Sequence, residues 1–150
     1  MWTRRTILEA AGALAATAPL QALAQAPSAP PRLALKGYDP VAYFTAGAPT
    51  MGRPEFEALH DGVRYQFASA QNRDLFKADP DRYAPQFGGA CAYTLALGQR
   101  READPTQWLI SNGKLYVFAG TAGTEAFKKD TQTASLRAAE NWKALKAAGN

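Results

Sequence analysis

Apolar and polar residues alternate most clearly over Val63–Phe67, where Val63, Tyr65 and Phe67 are separated by Arg64 and Gln66. Period two is the signature of a half-buried strand. Asp61-Gly62 precedes this run, and Phe56–His60 stands on its other side. Asp-Gly between two strand-like runs predicts a hairpin, because both turn residues tolerate φ > 0. The pattern recurs at Trp108–Ser111 and Lys114–Phe118, separated by Asn112-Gly113. Ser69 reads as an N-cap for a helix over residues 70–78, with Leu75 and Phe76 on its core side. Asp79-Pro80 ends that helix, since a residue before proline avoids the helical region. A short helix is expected over residues 124–129 and a last one over residues 133–147. Leu136, Ala139, Trp142 and Leu145 form the expected apolar stripe of the last helix. Two hairpins, each followed by a helix, form a loose echo, but no internal repeat is read.

These elements predict a small single α+β domain, with two β-hairpins packed against short helices and a C-terminal helix. A length of 150 residues and an apolar content of 47% suit one packed core. The net charge of +4 is modest and the signs are mixed along the chain. No basic stripe with interleaved aromatics is present, which argues against nucleic acid as a partner.

The first residues carry an address. A basic head, Met1–Thr6, precedes an alanine-rich apolar stretch and the small-residue pattern Ala22-Leu23-Ala24. This is the layout of a secretory signal. The Arg4-Arg5 pair followed by Ile7-Leu8 points to the twin-arginine type. Residues 1–24 are therefore expected to be a signal peptide, 25–35 a flexible leader and 36–148 the domain. The expected location is periplasmic or secreted, with no membrane span once the signal is removed.

Cys91, within "QFGGACAY", is the only cysteine, so no internal disulfide can form. It is open to three readings: a buried small residue, a metal ligand or a reactive thiol. His60 is the only histidine, and Met51 the only methionine besides Met1. His60 is expected near a hairpin tip, in solvent. Cys91, His60 and Met51 together would suit Cu(I), since soft metals take thiolate, imidazole and thioether donors. The acid pairs Asp79/Asp81 and Glu55/Glu57 read as solvated. There is no H-E-x-x-H pattern and no glycine-rich phosphate loop, so no enzyme is expected.

The segments "GYDPVAYF", "EFEALHDGVRYQFASAQNRDLFKADPDRYAPQFGGACAY" and "DPTQWLISNGKLYVF" resemble the exported bacterial branch of the YHS-domain proteins, over most of residues 36–142. The resemblance implies a small α+β fold and a link to heavy-metal handling. In metal-associated YHS modules it implies thiols at positions that are Ala42, Ala68 and Asn72 here. The expected function is that of an exported, non-enzymatic YHS-type protein. The resemblance implies handling of copper or another soft metal ion. A structural or protein-interaction module without metal is the alternative, and an enzyme using Cys91 the remote one.

Overall fold

A computed structural model describes residues 28–149. The expected signal peptide and the first part of the leader lie outside the described residues. The fold class is as expected. Six helices and two antiparallel hairpins are present among the described residues, in the order α1 (Ala42–Thr45), β1 (Arg53–His60), β2 (Val63–Phe67), α2 (Ala70–Ala78), α3 (Pro80–Tyr83), α4 (Ala92–Ala96), β3 (Asp104–Ser111), β4 (Lys114–Phe118), α5 (Thr121–Lys129) and α6 (Thr131–Ala147). β1 pairs only with β2, and β3 only with β4. None of the described helices is long and apolar enough to cross a membrane.

The hairpin turns follow from their sequences. Asp61 and Gly62 have φ of 49° and 71°, and Asn112 and Gly113 have 51° and 72°. Both positions of a type I′ turn need φ > 0, which these residue types tolerate. The Ser69 hydroxyl accepts from the Asn72 N–H at 3.1 Å and caps α2, which spans the expected residues 70–78.

The loose echo is in fact a structural repeat. The β1–β2 register, Arg53 opposite Phe67 and then, past a bulge, Glu57 opposite Gln66, reappears 51 residues on. There Asp104 faces Phe118 and Trp108 faces Val117, again past a bulge. Asp79 and Asp130 end α2 and α5 at φ/ψ of −151°/73° and −150°/72°. The core is duplicated too. Phe76 packs on Tyr65 and Phe67 at centroid distances of 4.8 and 5.1 Å, and Phe127 packs on Tyr116 and Phe118 at 5.1 Å each. Each unit opens with a left-handed turn: Leu35, Lys36 and Gly37 in the first (φ 52°, 49°, 89°), Phe87, Gly88 and Gly89 in the second (59°, 61°, 84°). After each turn a backbone bridge forms, Tyr38 with Met51 and Ala90 with Glu102.

Several expectations are corrected. The domain begins before residue 36. The Arg64 N–H donates to the Arg32 carbonyl at 2.9 Å, and Ala34 and Leu35 are buried in the core. Leu75 is exposed while Phe76 is buried. In α6 the stripe is out of phase. Leu136 and Ala139 are exposed, and the buried face centres on Ala138, with Trp142 and Leu145 half-buried beside it. Asn141 continues that face and donates to the Leu95 carbonyl at 2.7 Å, fixing α6 on α4. A polar residue on the packed face hid the true phase.

Lys36 is exposed at φ 49°, where the second unit has Gly88 at 61°. A left-handed non-glycine residue costs about 1–2 kcal/mol, partly offset by the greater freedom of glycine in the unfolded chain. Lys36→Gly should therefore raise stability by roughly 0.5 kcal/mol. Urea denaturation measures it, and a destabilised variant would contradict the strain assigned to this turn.

Candidate functional site

The three positions where the family resemblance implies thiols do come together. They meet at Asp39, which is fully buried. Its Oδ1 accepts from the N–H groups of Val41 at 2.8 Å and Ala42 at 3.2 Å. Its Oδ2 accepts from the Ala68 N–H at 2.8 Å and from Asn72 Nδ2 at 2.7 Å. Positions 42, 68 and 72 thus present two backbone amides and a side-chain amide, all donors, to one carboxyl. A metal needs lone pairs aimed at a common point. The only such lone pairs here are taken by four donors, so these residues do not fit the metal that the resemblance implies.

Nor do Cys91, His60 and Met51 supply a substitute. Cys91 is 1% exposed at the N-cap of α4, and its backbone pairs with Val117 of β4. Its N–H donates to the Arg101 carbonyl at 2.9 Å. Cys91 is the counterpart of Asp39, whose N–H donates to the Thr50 carbonyl at 2.8 Å. The burial reading holds for this residue. Met51 is exposed and precedes β1, while His60 is its last residue. Nine residue steps at about 3.3 Å each span roughly 30 Å, shortened somewhat by the bulge in β1. The expected trio is therefore not a joint ligand set. Among the described residues no three or more His, Cys, Asp and Glu side chains are grouped to hold a metal ion.

His60 belongs elsewhere. Its side chain is 22% exposed rather than solvated, with its ring edge-on to Phe76 at 5.9 Å. Its Nε2 lies 3.4 Å from Asp81 Oδ1 and 3.6 Å from Asp61 Oδ2. These three residues and Tyr65 form one wall of a cleft of about 350 Å³. Phe87, Gly88, Trp142 and Lys146 form the facing wall, so the cleft lies where the two units meet. Lys146 Nζ sits 5.9 Å from the centre of the Trp142 ring.

The second unit carries an equivalent cleft, of about 400 Å³, lined by Ser111, Asn112, Tyr116, Thr131, Gln132, Ser135 and Leu136. Ser111 stands in place of His60, Asn112 of Asp61, Tyr116 of Tyr65 and Gln132 of Asp81. The backbone and tyrosine are retained, but every ionisable neighbour is replaced by a neutral one. Asp81 is solvated and Trp142 packs against the core, both as expected, so neither stands out in the sequence as a site residue. The signal that could have found the site is the repeated pattern Tyr65-x-Phe67-Ala68 with Phe76-Lys77-x-Asp79, and Tyr116-x-Phe118-Ala119 with Phe127-Lys128-x-Asp130. Aligning on it puts His60 against Ser111 and Asp81 against Gln132.

Comparisons with known family models, curated proteins and solved structures found no match.

Two outcomes follow from this geometry. Asp39→Ala leaves two buried and two part-buried donors without their acceptor and should cost about 3 kcal/mol or more, against about 1 kcal/mol for Asn72→Ala. Chemical denaturation of both variants checks the order, and an equal small loss would contradict the hub role of Asp39. Burial pushes the Tyr65 phenol up to about 12, chiefly by desolvation. The folded state thus favours the neutral phenol. That contribution is complete below the usual value of 10.0 and is lost as pH rises through about 12. Tyr65→Phe should lose less stability than wild type between those two values, read as the shift in urea midpoint.

Proposed function

We propose that this protein is an exported, non-enzymatic binding module of the YHS type that takes its ligand in the His60–Trp142 cleft rather than at a thiol metal centre. Export and family rest on the signal-like N-terminus and the motif resemblance. The cleft reading rests on one observation: the fold builds one wall of this cleft twice, and only the copy that faces Trp142 carries His60, Asp61 and Asp81. A scaffold role alone accounts for neither His60, Asp61 and Asp81 collected at one copy nor their neutral counterparts at the other. The facing walls offer complementary handles. The carboxyl groups suit a donor or cation, and the exposed part of Trp142 suits an apolar or π face.

Copper handling loses its support from the chemistry of the residues. Positions 42, 68 and 72 bear no soft donor, and the one thiol is packed in the core. Protein purified from its own periplasm should carry copper well below one equivalent. Cu(I) titration should give equal, weak binding for wild type and Cys91→Ser. Native mass spectrometry should find a small organic ligand on wild type that His60→Gln and Trp142→Phe fail to retain. Stoichiometric copper that disappears in Cys91→Ser, with circular dichroism unchanged, would overturn the proposal and restore the metal reading.

A further inference from the structure

Beside the Trp142 cleft lies a second concavity, of about 250 Å³, lined by Arg32, Gly89, Ala90, Arg100, Arg101 and Glu102. We propose that Arg32, Arg100 and Arg101 bind a small multivalent oxyanion there, a polyphosphate or a polycarboxylate.

Three features support this assignment. The guanidinium groups of Arg32 and Arg100, and the backbone of Arg101, are held in place. Arg32 Nη2 donates to the Gly88 carbonyl at 2.6 Å, the Arg101 carbonyl accepts from Cys91, and the Arg100 guanidinium lies 5.4 Å from the Trp142 ring centre. They also lack counter-ions. Among the described residues none of the three has a carboxylate within 4.0 Å, and Glu102 is the single acidic residue lining the concavity. Like charges gathered without partners repel one another, so the arrangement favours an anion that neutralises them.

The repeat supplies the third feature. The bridges Tyr38–Met51 and Ala90–Glu102 make Arg100 and Arg101 the counterparts of Pro49 and Thr50. The fold therefore makes this loop twice and places no charge at those positions in the first copy. Guanidinium groups offer paired N–H donors that match the edges of phosphate and carboxylate groups. A concavity of this size, bounded by backbone at Gly89 and Ala90, encloses a small anion. It offers no extended basic track for a polymer.

The test is isothermal titration at low salt with inorganic pyrophosphate and, separately, citrate. Wild type should bind at least one of them, and which one binds distinguishes a phosphate from a carboxylate source. Arg100→Gln/Arg101→Gln should weaken binding about tenfold or more, the loss expected for charge-assisted hydrogen bonds. Lys114→Gln/Lys129→Gln removes the same charge elsewhere and should leave the affinity within about twofold, as should His60→Gln in the neighbouring cleft. The His60 variant separates this inference from the ligand proposed for that cleft. Absence of binding by wild type to either anion, or equal weakening by the two charge-matched pairs, would overturn the assignment. Circular dichroism of each variant shows that the fold is retained.

Discussion

The carboxyl group of Asp39 is the point on which the first half of the molecule is assembled. Its four donors come from three places in the chain: Val41 and Ala42 at the start of α1, Ala68 at the end of β2, and Asn72 in the first turn of α2. α1 has only four residues and would not persist alone, because helix nucleation fixes several residues for each bond gained. Its first amides are buried and need an acceptor. Asp39 supplies that acceptor and joins the helix start to the hairpin and to α2. The same contacts hold Tyr43 in place, whose hydroxyl donates to the Pro105 carbonyl at 2.6 Å in the second unit. Burial pushes the Tyr43 phenol well above its usual range, so it stays a donor even in alkali that would ionise an exposed phenol. One buried carboxyl thus links the two halves through α1.

The second unit solves the same packing problem differently. Cys91 replaces Asp39, and Gly123 stands where Asn72 stands in the first unit. The space beside Gly123 is occupied by the Tyr93 ring, which would lie 3.2 Å from any Cβ added there. Polar satisfaction in one copy has become side-chain packing in the other. Cys91 is therefore explained by its position: a small, fully buried group at the start of α4. Inside a dry core a thiol without a hydrogen-bonding duty is easier to accommodate than an unpaired carboxyl.

Much of this fold was legible in the sequence. The Asp-Gly and Asn-Gly turns, the Ser69 cap and the Asp79-Pro80 stop are local rules with local causes, and the structure follows them. Three kinds of feature were not legible. The left-handed turns place Leu35, Lys36 and Phe87 at positive φ, and at Leu35 and Phe87 only burial in the core justifies that conformation. The phase of α6 was misread because Asn141 lies on the packed face and Leu136 on the exposed one. The site was missed because its parts are ordinary one at a time. His60 ends a strand, Asp81 lies in a short turn of helix, and Trp142 arrives about sixty residues later on α6. Only the tertiary fold brings them to a common cleft.

Duplication turns such ordinary residues into informative ones, but divergence between copies is not enough by itself. Asp39 and Cys91 have diverged completely, yet both are buried, and their difference concerns how a core is filled. His60/Ser111, Asp81/Gln132 and Arg101/Thr50 have diverged at positions that are exposed or only partly buried. There, neither packing nor hydrogen bonding of the fold requires a particular charge. The backbone reproduces the hairpin wall of the cleft and the loop before each strand, so backbone conformation does not account for the difference in charge at these positions. What remains is the chemistry the walls present to something outside the chain. Acidic and imidazole groups line the cleft at Trp142, and guanidinium groups line the neighbouring concavity. That opposed polarity along a single seam is the property the first unit's hairpin and the second unit's glycine turn combine to create, and neither unit presents it alone.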